Sequence, residues 1–320
     1  MAHARADATP SPFPEGATLL VAGPEGGRLD GTAEFLAPLL ARTLPSGTAL
    51  RRERAGGEDG VTGCNQFEAR VAPDGATVLL LPGEAALAWL VGDPRARFDT
   101  ARFIPVLAEV TPSVLVSRRR LADVTAAAPL RVAAARPDSL DLTALLGLDL
   151  LQVPVRPVFG LAGAAAQTAL AANAAEALLL TGAGAAARAD ALGALGLSPV
   201  LTLGLPDEQG NARRDPHFAE VPALPEELAA RQPAGPLLAA WQALAAAAQL
   251  GFLMVLQSPA PAAMVALWRQ AATQAVQTAG PGLLLPCPAL NRFAAPLAAE
   301  AGTLAELRRF MASRYDWHPA

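Results

Sequence analysis

Short apolar runs alternate with alanine-rich segments along the first 117 residues of this chain. The apolar runs, among them ATLLVA, ATVLLLPG and FIPVLAEV, contain branched side chains and are bounded by turn residues, which is typical of buried strands. The segments between them are long enough for helices. Strands that alternate with helices predict a mostly parallel sheet that is covered by helices on both faces.

The same alternation restarts at PLRVAAA and continues to a proline- and charge-rich segment at residues 207–228, which is predicted to be a loop. The chain is therefore predicted to form two α/β lobes: residues 17–115 with 251–320, and residues 116–250. Residues 1–16 are predicted to be the remnant of an N-terminal leader. Open α/β sheets bind ligands at the carboxyl ends of their strands, so a ligand cleft is expected between the lobes.

Composition and charge exclude several functions. The formal net charge is −4 and there is no basic block, which argues against a nucleic-acid partner; the one basic run, SRRRLAD, is predicted to be a solvated loop. The chain contains no lysine, which excludes a P-loop lysine, a lysine Schiff base and a Ser-x-x-Lys hydrolase.

Neither a metal nor a cofactor is expected. The three histidines, His3, His217 and His318, do not have the spacing of a zinc or non-haem iron site. The two cysteines, Cys64 and Cys287, lie far apart in the sequence, which does not choose between a disulfide and two free thiols.

One stretch, Pro236–Leu256, has the length of a membrane span. It contains two glutamines and mostly alanine, and no arginine cluster flanks it, so we predict that it does not span a membrane. The N-terminus has no apolar segment of a signal peptide, but Ala4-Arg5-Ala6 resembles the residues before a cleavage site. We therefore expect an exported protein.

A glycine-rich turn, GPEGGRLDGT, lies between the first predicted strand and a helix predicted over Thr32–Leu44, in which Pro38 suggests a kink. The first amides of a helix lack partners within the helix, and the helix dipole favours an anion at this end. Gly26 and Gly27 allow a ligand to approach the backbone closely. The turn is thus a candidate anion site.

These residues resemble a known family. LLVAGPEGGRLDGTAEFLAPLLA is similar to the opening of the solute-binding receptors of tripartite tricarboxylate transporters, the Bug-type or TctC-like proteins, in which a strand runs into Pro-x-Gly-Gly-x-x-Asp. Further similar stretches follow in the family's order: APDGATVLLL, FDTARFIPVLAEVTPSVLV, AAAQTALAANAAEALLL, RRDPHFAEVPALPE and AGTLAELRRFM. The resemblance covers nearly the whole chain from Ala17.

The resemblance implies a periplasmic-binding-protein clamshell that is not an enzyme. It implies capture of a small organic acid or amino acid in the periplasm, with the ligand carboxylate held by loop amides and bound water, and delivery to membrane transporter subunits. Positions that match the family, together with cleft-facing positions, form the candidate ligand-binding set: Gly26, Gly27, Arg28, Asp30, Gly83, Arg136, Ser139, Arg156 and Glu176.

The sequence departs from the family pattern around the expected ligand. The segment ARPDSLDL replaces a longer loop rich in serine, glycine and threonine, and Glu58, Asp59 and Glu84 add negative charge. A ligand carboxylate requires these acids to be offset by an arginine, for which Arg28 and Arg156 are candidates.

Simpler interpretations stay open. The glycine turn is also explained as a tight turn, Asp30 and Ser139 as helix caps and Arg136 as a surface residue. The eroded loop supports a second hypothesis: a receptor-like protein that no longer captures a solute and acts as a structural or partner-binding subunit of a larger complex. An enzyme is the third hypothesis, which no nucleophile–base pair supports.

Overall fold

The structure is a computed structural model that describes residue 13 and residues 15–45, 48–280 and 284–319. The predicted leader remnant, including His3 and Ala4-Arg5-Ala6, lies outside the described residues apart from positions 13, 15 and 16. Two sheets with helices packed on both of their faces confirm the predicted two-lobed α/β class. The sheets are mixed and not mostly parallel, because the strands at residues 113–117 and 250–257 pair antiparallel with both of their neighbours.

The strands are β1 (Ala17–Val21), β2 (Leu50–Arg54), β3 (Thr77–Leu81), β4 (Phe103–Val110), β5 (Ser113–Ser117), β6 (Leu130–Ala133), β7 (Val155–Val158), β8 (Ala177–Thr181), β9 (Ser198–Thr202), β10 (Leu205–Pro206), β11 (Ala212–Arg213), β12 (Leu250–Gln257) and β13 (Leu284–Pro286).

The helices are α1 (Arg28–Ala41), α2 (Val61–Arg70), α3 (Gly83–Val91), α4 (Leu142–Leu150), α5 (Ala164–Ala171), α6 (Ala185–Gly193), α7 (Leu224–Arg231), α8 (Pro236–Gln249), α9 (Ala262–Ala279), α10 (Ala289–Ala294) and α11 (Ala301–Tyr315).

The first sheet has the strand order β13-β4-β12-β3-β1-β2. The central strands β1 and β3 run parallel to each other and are apolar along most of their length, because helices cover both faces. The edge strand β2 has the sequence LRRER, and its charged side chains are exposed. Charges on an edge strand hinder pairing with another chain.

The second sheet has the strand order β7-β6-β8-β5-β9. Its strands β6, β7 and β8 are parallel, whereas β5 pairs antiparallel with β8 and β9. The chain passes from the first sheet to the second at residues 111–112 and returns from α8 into β12. The predicted lobe boundary after Leu115 therefore falls within β5.

Hydrogen bonds join the two crossing segments. The amide of Thr111 donates to the carbonyl of Gln249 at 2.7 Å, and the Thr111 hydroxyl donates to the same carbonyl at 3.2 Å. The buried Gln249 side chain donates to the carbonyl of Gly204. The two lobes are thus tied together where the chain crosses between them.

Helix α8 packs within a core that both lobes share. This core combines apolar residues of β1 and β3 in the first sheet with residues of β6 and β8 in the second. The Thr143 hydroxyl of α4 donates to the Leu244 carbonyl of α8 at 3.2 Å, and Gly83 of α3 lies against the carbonyl of Ala247, one turn farther along α8. Helix α8 therefore fixes the position of one lobe relative to the other.

Each lobe also has a core of its own. The outer face of the first sheet packs against α1 and α9 and contains the fully buried Trp268. The outer face of the second sheet packs against α5 and α6, where Leu170 is completely buried.

Several local predictions are corrected. Helix α1 begins at Arg28 and not at Thr32, and it contains Pro38. The prediction that Pro236–Leu256 does not span a membrane needs no correction: the stretch is divided between α8 and β12, and no helix in the described ranges is long and apolar enough to cross a bilayer. The predicted loop at 207–228 contains the β11 strand and the start of α7, which Pro225 and two acidic residues in its first turn favour.

The basic run is not simply a solvated loop. The Arg118 guanidinium donates to the carbonyls of Leu170, near the end of α5, and of Leu195, just after α6. A cation at the carboxyl end of a helix stabilises it. Arg118 therefore links two helices of the second lobe.

Both cysteines are free thiols, which answers the question that the sequence left open.

Candidate functional site

The glycine turn before α1 holds an anion that belongs to the chain itself. Gly26, whose φ of +69° favours glycine, donates its amide to Asp30 Oδ2 at 2.9 Å. The other oxygen, Asp30 Oδ1, accepts from Arg54 Nε at 2.8 Å. The Gly27 amide donates to the Pro24 carbonyl at 3.2 Å. Both glycine amides are therefore already hydrogen-bonded within the chain.

The electrostatics of this turn fit a structural ion pair. Asp30 is buried, and the hydrogen bonds from Arg54 and Gly26 hold its pKa below the ordinary value of 3.8. The neighbouring Arg28 guanidinium donates to the carbonyl of Gly251 at the start of β12. Burial raises the pKa of Glu109 on β4, which Arg28 partly offsets. Arg28 thus connects α1 to the crossing region.

The ion pair at Asp30 makes a testable contribution to stability. We expect Asp30→Asn to lower the thermal midpoint at pH 7, because the Arg54 guanidinium loses its anionic partner. Since the pKa of Asp30 is lower in the folded state than in the unfolded one, this stabilisation is complete above the unfolded value and disappears as the pH falls through the folded value. Thermal melts of both proteins between pH 7 and pH 2 should therefore converge at low pH. Asp190→Asn, at an exposed position of α6, is the control and should leave the midpoint unchanged at pH 7.

A cleft of about 270 Å³ lies between the lobes. Its first-lobe wall comes from the turn before α2, from α3 and from the segment after α3. Its second-lobe wall comes from the loop between β6 and α4. The lining residues are Asp59, Glu84, Leu87, Ala88, Val91, Asp93, Arg95, Arg136, Asp138, Ser139, Leu140 and Asp141. Of the predicted site residues, the structure brings Arg136 and Ser139 together here.

The second-lobe wall is organised by Asp141. Its Oδ2 accepts the Ala135 amide at 2.8 Å and the Ser139 hydroxyl at 2.9 Å. Burial raises the pKa of Asp141, while these two hydrogen bonds act in the opposite direction. Arg136 Nε donates to Asp138 at 2.9 Å, and the Arg136 side chain is largely exposed. The loop between β6 and α4 therefore uses its own carboxylates to hold its shape.

The first-lobe wall contains a second ion-pair cluster. The Arg95 guanidinium contacts Asp93 at 2.6 Å and Asp59 at 2.9 Å. The hydrogen bonds from Arg95 lower the pKa of Asp93. Asp59 Oδ1 also accepts the Val61 amide at 3.2 Å in the first turn of α2. Of the three acids predicted to be unfavourable for a ligand carboxylate, Asp59 and Glu84 line the cleft, whereas Glu58 is not in its lining.

The other predicted residues lie elsewhere. Gly83 is packed against α8, and Arg156 is on β7, the exposed edge strand of the second sheet. Glu176 precedes β8 and accepts from Arg131 Nε at 3.2 Å; burial raises its pKa, but the hydrogen bonds from Arg131 outweigh this effect. Neither Arg28 nor Arg156 is in the cleft lining, where the offsetting cations are Arg95 and Arg136.

Sequence reasoning missed Arg95 and Asp93. These two residues lie two positions apart in the segment after α3, and a local pair of opposite charges does not by itself indicate a site. It becomes part of the cleft only because the fold brings the α2 turn beside it.

Across the described ranges, no group of three or more histidine, cysteine or acidic residues is arranged to hold a metal ion.

The fold is similar to that of known solute-binding proteins. A TctC solute-binding protein from Polaromonas, solved without ligand, superposes with a TM-score of 0.64 at 18% identity, over 94% of this chain and 98% of that one. The R. palustris protein Rpa4515, solved with adipate, gives a TM-score of 0.52 at 16% identity, over 92% and 97%. No family model and no curated protein matches the sequence. At these identities the similarity shows the two-lobed fold.

Proposed function

We propose that this chain is a solute-binding receptor that captures a small carboxylate-bearing molecule between its two lobes. The observation that carries the proposal is the cleft, which both lobes line, in a fold similar to that of solute-binding proteins. Such a fold allows a solute to be held by polar groups from two walls at once. The adipate bound to the R. palustris protein supports a carboxylate as one group of the solute.

The proposal includes a place and a partner. The motifs that resemble the TctC-like and Bug-type receptors, together with the shared fold, support a divergent member of that family that acts in the periplasm. Its partners are then the membrane subunits of a tripartite tricarboxylate-type transporter, to which it delivers the solute.

The chemistry of the cleft supports binding of a charged solute. Its lining residues contain carboxylates, guanidinium groups, one hydroxyl and apolar side chains. The one hydroxyl, that of Ser139, donates to Asp141 and helps to hold the loop between β6 and α4 in place. These groups suit the orientation of a charged solute.

A thermal-shift screen tests the receptor function. The purified chain is heated with organic acids, amino acids and amines at millimolar concentration, and a bound solute at 100 times its dissociation constant should add about 2.7 kcal/mol of stability. Glu84→Trp places a large ring at an exposed cleft position and should abolish the shift. The matched control, Glu34→Trp at an exposed position of α1, should keep it.

A partner-binding subunit is the second candidate, and one observation favours it. The amides of Gly26, Val61 and Ala135 donate to carboxylates of the chain itself, at positions where a receptor would use amides for its solute. If no solute raises the thermal midpoint and the wild type behaves like Glu84→Trp throughout, the receptor function is wrong and this candidate replaces it.

A further inference from the structure

The charge of the inter-lobe cleft restricts which solute it admits. Five carboxylates line it against two guanidinium groups, and the carboxylates come from both lobes. The acidic residues are Asp59, Glu84, Asp93, Asp138 and Asp141, and the basic ones are Arg95 and Arg136. A cleft that is lined by one sign of charge concentrates solutes of the opposite sign and repels those of the same sign.

The two arginines differ in how much of their guanidinium group is already used. All three guanidinium nitrogens of Arg95 contact Asp93 or Asp59. Arg136 donates from Nε to Asp138 and contributes electrostatically to the lowered pKa of Asp93, but its two terminal nitrogens have no hydrogen-bond partner within the described ranges. These two nitrogens form the planar fork that binds a carboxylate in a bidentate manner. The cleft therefore offers a guanidinium fork for one carboxylate.

Two backbone amides beside the cleft walls are not available to a second carboxylate. The Ala135 amide is taken by Asp141 and the Val61 amide by Asp59, at 2.8 and 3.2 Å. A ligand carboxylate at either of these amides would have to displace a carboxylate that is covalently held in place. It would also lie among the remaining acidic side chains.

Two of the cleft carboxylates have no cationic partner. Neither Glu84 in the first lobe nor Asp141 in the second forms an ion pair with any described residue. A cationic nitrogen between the two walls would satisfy both lobes, because each lobe contributes one of these acids. The position between Glu84 and Asp141 thus favours a positive group on the solute. A dicarboxylate would place its second negative group there.

We propose, on the basis of the receptor function above, that the solute is an α-amino acid with a neutral or basic side chain. Its carboxylate binds the terminal nitrogens of Arg136, and its cationic nitrogen lies near Glu84 and Asp141. Dicarboxylates are rejected.

Isothermal titration of the full chain tests this specificity. The probes are the neutral and basic amino acids, the amines that correspond to them without the carboxylate, and malonate, succinate and adipate. We expect one-to-one binding of an amino acid, with dicarboxylates weaker by on the order of tenfold or more. Tighter binding of a dicarboxylate than of any amino acid overturns the specificity and leaves the receptor function standing.

Two variants assign the ends of the solute. Arg136→Ala should weaken binding of the amino acid by about tenfold while leaving the matching amine unchanged, since only the amino acid has a carboxylate. Glu84→Gln should weaken both and strengthen dicarboxylate binding, whereas Glu34→Gln on α1 should change neither. An Arg136→Ala effect that is equal for the amino acid and its amine overturns the proposed orientation. Absence of binding by every solute class contradicts the receptor function itself.

Discussion

Replacing Trp268 with alanine is expected to lower the free energy of unfolding by about 3–5 kcal/mol, the range for removal of a buried tryptophan. The side chain is completely buried in the outer core of the first lobe. Its indole Nε1 donates to the Gly75 carbonyl at 2.8 Å, and its ring meets Phe13 edge-on at 5.8 Å between centroids. Alanine leaves a cavity and a buried carbonyl without its donor.

The control for this substitution is Trp268→Phe. Phenylalanine keeps most of the ring volume but cannot donate to Gly75, so the loss should be clearly smaller and should reflect mainly the missing hydrogen bond, about 1–3 kcal/mol. Urea unfolding curves of the three proteins measure the difference. Equal losses for alanine and phenylalanine would show that the hydrogen bond, and not the packing of the ring, accounts for the stability.

Gly83→Ala is the second substitution with a large expected effect. Gly83 is the first residue of α3, and a Cβ there would overlap the backbone carbonyl oxygen of Ala247 in α8. A backbone atom within a helix cannot rotate away, so α3 and α8 must separate. Overpacking of this kind costs about 1–3 kcal/mol. Because α3 also provides Glu84 and Leu87 to the cleft, solute binding should weaken as well.

The matched control is Gly31→Ala, also a glycine within a helix. A Cβ at Gly31 meets no atom within 4 Å, and the residue is exposed on α1. Alanine there should raise the free energy of unfolding by about 0.5–1 kcal/mol, because glycine is the poorer helix former. Opposite signs at the two glycines, measured by urea unfolding, are the expected result. A stabilising Gly83→Ala would contradict the close packing of α3 against α8.

The sequence predicts the central strands of both sheets well because these strands are compact apolar runs between turn residues. It predicts helix ends less well. At α1 the helix begins at Arg28, since Gly27 precedes it in an extended conformation and serves as the cap without a side chain. The apolar run DLLQVPV at residues 149–155 predicts a single strand, but its first two residues complete α4 and its last residue begins β7, because an apolar run alone does not distinguish a buried helix from a strand.

The candidate site shows where local patterns stop being informative. The sequence predicts that Gly26 and Asp30 belong to one site for a ligand anion. The two residues are in contact, but the Gly26 amide donates to the Asp30 carboxylate itself. Arg136 and Ser139 line the cleft because the loop after β6 faces the other lobe. Arg156 on β7 and Glu176 just before β8 belong to the same lobe, but neither residue lines the cleft. Which residues face the cleft depends on how the lobes are placed, and no short segment contains that information.

The buried alanines of α8 have a consequence for the size of the solute. Ala240, Ala243 and Ala247 are almost completely buried in the core that joins the lobes, and each contributes a single methyl group to its thickness. Helix α8 therefore acts as a spacer between the lobes, and the volume of its buried side chains sets the distance between them. A protein of this fold with leucine or valine in the same row would hold its lobes farther apart. The width of the cleft, and with it the size of the largest solute that can enter, then depends on a helix that does not line the cleft.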